Sequence, residues 1–65
     1  MKILLREYMY NKNLTIRQVS VVTKISKSTI SNICSGKRMP RMDTMEQLAK
    51  GLKIRITDLF ESPYK

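Results

Sequence analysis

The sequence predicts an all-α fold, a compact five-helix bundle in one domain spanning residues 1–65, and three observations carry the prediction. Apolar residues recur three and four positions apart in successive segments, the period of a helix with one buried face. Helix-starting residues (Thr15, Ser26) and helix-ending ones (Gly36, Pro40) divide those segments at short intervals. No segment alternates apolar and polar residues as a half-buried strand does, and no repeat or low-complexity tract breaks the pattern.

A first helix is expected over residues 2–11, where Leu5, Tyr8 and Met9 fall at helical spacing with Leu4 on the flank; Asn11, Lys12 and Asn13 close it. Thr15 caps a second helix, and Gln18, three residues on, completes a capping-box pattern in which each side chain satisfies the other residue's backbone N–H. Ser26 caps a third helix, which runs through Ile30 and Ile33 to Gly36, a residue suited to the left-handed conformation that ends helices. Lys37 to Arg41 reads as a loop, because Pro40 disfavours helix at Met39 and cannot sit inside one. Met42, Met45, Leu48, Ala49 and Leu52 mark the core face of a fourth helix, with Met42 and Met45 as core fillers and Met39 exposed in the loop. Its acids, Asp43 and Glu46, lie in the first turns and Lys50 and Lys53 at the end, as the helix dipole favours. A short fifth helix over Ile56–Phe60 closes the bundle, and Ser62 to Lys65 form a tail.

A 65-residue domain buries only about 60% of the surface its unfolded chain exposes, so stability alone is marginal. No catalytic cleft between domains and no attached sensor domain fits in such a length. Charge is the strongest global signal: 13 Lys and Arg face 5 Asp and Glu, a formal net charge of +8. Between Glu7 and Asp43 there is no acid, while Lys12, Arg17, Lys24, Lys27, Lys37, Arg38 and Arg41 all fall there. Such a distribution points to a polyanionic partner, with nucleic acid ahead of a membrane surface. The single cysteine, Cys34, has no internal disulfide partner, and without His no zinc site is expected. No apolar run approaches the roughly 20 residues of a membrane span, and a cytoplasmic location is the expectation. The sequence carries no Gly-rich phosphate loop and no paired acids, so no enzymatic constellation, cofactor, metal or small-molecule ligand is expected.

Three or four residues, Thr23 to Ser26, separate the second and third helices, the spacing of a helix-turn-helix. That motif, with its core over about residues 15–35, needs apolar residues on both inner faces and a small residue where the helices cross. Val19, Ile25, Ile30 and Ile33 supply the first, with Thr23 as a tolerable partner, and Ser20 supplies the second. The isoleucines thus hold the third helix onto the second, and its opposite face is left to enter a DNA major groove.

The segment "LTIRQVSVVTKISKSTISNICSGKRMP", followed by "MDTMEQLAKGLKIRITDLF", resembles the Cro-like phage-repressor, or XRE, family of helix-turn-helix proteins, over residues 3–60. The resemblance implies a lambda-repressor-like DNA-binding domain acting as a two-fold homodimer on a pseudo-palindromic operator in double-stranded DNA. By position it implies base contacts from Lys27, Ser28 and Asn32, with Ser31 a lesser contributor. Lysine donates to guanine and asparagine pairs bidentately with adenine, each good pair contributing about 1–3 kcal/mol of discrimination. It implies phosphate contacts from Thr15, Arg17, Ser26, Lys37, Arg38 and Arg41. The chain would then be bacterial or phage-encoded and nucleoid-associated when bound.

Five positions depart from the family pattern. Ser20 stands where alanine is usual, and must bond a local carbonyl or cost about 1–3 kcal/mol. Lys24 replaces the turn glycine, straining a left-handed backbone by roughly 1–2 kcal/mol if one is required. Ile16 replaces a glutamine that touches phosphate and cannot donate. Met9 and Cys34 occupy the positions of an arginine–glutamate pair, and losing both charges together is often neutral where losing one costs about 3–5 kcal/mol. Cys34 is therefore expected to be a packing residue.

The leading expectation is a transcriptional regulator, most simply a repressor that occludes a promoter. The second, from another class, is an antitoxin-like protein-interaction module that also binds DNA. Against it stands the short segment after Phe60, which is expected to be too small for toxin binding. Specific RNA recognition is disfavoured by the scarcity of aromatics outside the helix faces and the tail.

Overall fold

Thr15 does what its spacing from Gln18 predicts. Its hydroxyl accepts the Gln18 N–H at 3.1 Å, and Gln18 Oε1 accepts the Thr15 N–H at 2.9 Å, so the box starts a helix at Ile16. The computed structural model describes residues 1–64, and Lys65, the end of the expected tail, lies outside them. Four α-helices are described: α1 (Leu5–Asn11), α2 (Ile16–Thr23), α3 (Lys27–Cys34) and α4 (Met42–Leu52). Ser26 caps α3 by accepting the Thr29 N–H at 3.2 Å.

Helix ends are set by residues in the left-handed region. Gly36, at φ 81°, lets Lys37 N–H reach the Asn32 carbonyl at 3.0 Å and Gly36 N–H the Ile33 carbonyl at 3.2 Å, a Schellman closure of α3. Lys24 takes φ 60° at the turn, the conformation that the usual glycine would have supplied without strain. The turn is held by side chains instead. Ser20 Oγ donates to the Ile25 carbonyl at 2.6 Å, and Thr23 Oγ1 donates to the Val19 carbonyl at the same distance.

One core unites the helices: Leu5 and Met9 of α1, Val19 of α2, Ile25 of the turn, Ile30 and Ile33 of α3, Met45, Leu48 and Ala49 of α4, and Leu59. Met45 is 2% exposed, whereas Met42 is 67% exposed. The expectation that Met42 fills the core is therefore corrected. It is the first residue of α4, a turn short of the residues that meet α2, and spacing alone does not show where a helix outruns its support.

The five-helix count is corrected as well. Ile56–Leu59 form a single 3₁₀ turn, with Asp58 N–H bonded to the Arg55 carbonyl at 3.0 Å. Only Leu59 of it is buried, too little packing to hold an α-helix of that length. After it the chain extends, and Phe60–Glu61 (β2) pair antiparallel with Lys2–Ile3 (β1). This two-stranded sheet overturns the expectation of no strand. It also explains why α1 begins at Leu5: the Leu4 N–H is bonded at 2.7 Å to the Leu59 carbonyl across the chain ends.

Candidate nucleic-acid interface

Ile30 and Ile33 turn one side of α3 inward. The other side carries Lys27, Ser28 and Ser31, all exposed, with Asn32 half-buried beside them. Positions i, i+1, i+4 and i+5 form one stripe on a helix, so the four expected base-contacting side chains share a face. Ser26 lies at the head of that stripe, and its hydroxyl is committed to the helix start, 2.8 Å from Thr29 Oγ1 as well as bonded to the Thr29 N–H.

The loop after α3 is tied to this stripe through one atom. The Asn32 carbonyl accepts the N–H groups of Lys37 and Arg38, at 3.0 and 3.2 Å, and the Ser35 hydroxyl at 3.2 Å. Lys37 and Arg38 are thereby anchored at the end of the same helix whose side chains form the stripe, and both are exposed. Sequence reasoning placed them in a loop without this anchor; the signal that reveals it is Gly36 at the position after the C-cap.

Arg41, also exposed, has its Nε 3.8 Å from Asp43 Oδ1. Both side chains are largely solvated, so the pair is weak and leaves the guanidinium available. Thr15 and Arg17 are exposed at the start of α2. The Thr15 oxygen is used in accepting the Gln18 N–H, which leaves its O–H as a donor. Ile16 stands half-buried between them and can donate nothing from its side chain.

Behind this surface, Cys34 Sγ lies 3.7 Å from Met9 Sδ, so the two departures from the family's charged pair meet in space. Burial pushes the Cys34 thiol above its ordinary pKa, the reverse of what a reactive thiolate needs. Among the described residues no group of three or more metal-ligating side chains gathers, and no helix is long and apolar enough to cross a membrane. Exposed hydroxyl, amide and cationic groups on one helix and its flanks fit hydrogen bonding to base edges and ion pairing to phosphates.

A family model described as helix-turn-helix matches residues 5–59, from the first residue of α1 to the last of the 3₁₀ turn. Comparison with curated proteins and with solved structures yields no match.

Proposed function

Because the chain belongs to the Cro-like (XRE) helix-turn-helix family, a family of DNA-binding transcription regulators that is generally non-enzymatic, we propose that it is a repressor that binds a pseudo-palindromic operator as a homodimer. The α3 stripe lies in the major groove, where Lys27, Ser28, Ser31 and Asn32 meet base edges. Thr15, Arg17, Ser26, Lys37, Arg38 and Arg41 flank it along the two phosphate backbones. One observation carries the reading: the Asn32 carbonyl fixes the Lys37 and Arg38 backbone to the end of α3, which supports pairing an exposed polar stripe with a cationic loop beside it.

Size supports two copies. A helix of 8 residues is about 12 Å long, and at about 3.4 Å per base pair it spans roughly four pairs, too few to specify a site among a genome's competitors. Two copies related by a two-fold axis double the readout at half-sites about one helical turn apart. A dimer bound across a promoter blocks polymerase without any further domain.

Paired substitutions test the assignment. Asn32→Ala is expected to lose about 1–3 kcal/mol at one base position and to narrow the gap between operator and random DNA. Arg38→Ala is expected to weaken both equally and to make the log–log salt dependence shallower by up to about 0.9 for each copy bound. An unchanged operator-to-random ratio in Asn32→Ala overturns its role as a base reader.

A further inference from the structure

Ile16, the first residue of α2, has no hydrogen-bond donor on its side chain. A surface groove is lined by Ile16, by Ser31 and Ser35 of the α3 edge, and by two α1 side chains that have no role so far, Arg6 and Tyr10, which also border a shallow groove with Glu7 and Asn11. The floor of the first groove is formed by Met9, Leu14 and Cys34. Arg6 and Tyr10 are four residues apart, neighbours on one face of α1, while Leu5 and Met9 turn to the core. Tyr10 is 83% exposed, and among the described residues its hydroxyl has no hydrogen-bond partner. Among the described residues Arg6 makes no ion pair within 4 Å: the adjacent carboxylate, Glu7, is 3.3 Å from Lys2 Nζ and feels Arg6 only as a nearby charge.

We propose that Arg6 and Tyr10 form a second phosphate-holding edge of the DNA interface, supplying from α1 the donors that Ile16 does not supply from α2. The inference rests on the DNA-binding reading above. A duplex seated on the α3 stripe runs its backbone past Ser31, the residue that the stripe and the groove share. The rim then offers a guanidinium, whose fork matches two phosphate oxygens, and a phenol O–H. The apolar floor faces the deoxyribose, which asks for no hydrogen bond. A solvated arginine would serve as well on a face away from α3; here its groove is bounded by the base-facing helix itself.

The test measures binding of the full chain to a duplex carrying its selected site and to a random duplex, between 50 and 200 mM salt. Arg6→Gln is expected to remove about 0.9 from the log–log slope for each copy bound, about 1.8 for the proposed dimer, so that its affinity falls about 12-fold less than wild type over that range, equally on both duplexes. Arg6→Lys is expected to restore the slope, and Tyr10→Phe to weaken binding with the slope intact. Lys50→Gln removes the same charge from the last turn of α4, in a separate groove with Lys24 and Lys53, and is expected to leave the slope unchanged. If Arg6→Gln and Lys50→Gln give the same slope while wild type binds its site, the second edge is wrong and the DNA-binding reading stands. If wild type binds neither duplex at any salt, both fall.

Discussion

Met9 and Cys34 show how a residue-scale departure is resolved by its partner. Their sulfurs are 3.7 Å apart, Met9 is buried and Cys34 half-buried, so the space that the family fills with an arginine and a glutamate is filled here by two soft apolar side chains. Met9→Arg alone is expected to cost about 3–5 kcal/mol, since it buries an unpaired charge, whereas Met9→Arg with Cys34→Glu should recover most of the loss. Urea unfolding of the two single variants and the double gives the coupling energy; strictly additive effects would show that the side chains do not share one site. Features at this scale were legible when the interaction was local. Thr15 with Gln18, Ser26 with Thr29, and Gly36 each act within one turn of chain, and each was readable from spacing. Ser20 was half legible: the sequence required a carbonyl partner, and the structure shows it to be that of Ile25. Arg6 and Tyr10 were not legible, because their value depends on which helix lies across the groove.

Among the elements, the two glycines make the sharpest contrast. A Cβ at Gly36 would meet nothing within 4 Å, so that glycine serves its positive φ alone. A Cβ at Gly51 would lie 2.7 Å from Thr23 Cα and from the Val22 carbonyl oxygen, because α4 packs directly on the end of α2. Gln47 seals the same contact by donating to the Thr23 carbonyl at 2.8 Å. In an open helix Gly→Ala gains about 1 kcal/mol. Gly51→Ala is instead expected to destabilise by about 1–3 kcal/mol, since the neighbouring atoms are backbone. Gly36→Ala is expected to cost about 1–2 kcal/mol through strain alone. Thermal unfolding of both variants checks this, and a raised midpoint for Gly51→Ala contradicts the close approach of α2 and α4. Helices α2, α3 and α4 were legible from apolar period and caps. The strand pair was not, because two-residue strands carry no alternation and their partners stand at opposite ends of the chain.

For the whole molecule, the excess of cations and the shape act together. A formal charge of +8 supplies affinity for any duplex, and the extents of 31 × 24 × 23 Å let one copy cover about one turn of DNA at most. In the proposed reading, specificity comes from the α3 stripe and from the pairing of two copies, neither of which net charge reveals. Selection of binding sites from random duplex DNA by the purified protein, at near-physiological salt, separates these contributions most directly. Two inverted half-sites enriched with centres about 10 bp apart are the expected result, and they establish base reading and two-fold symmetry at once. Binding that fades as salt rises and enriches no sequence would leave only electrostatic attraction, and would contradict the assignment of α3 as a base-reading helix.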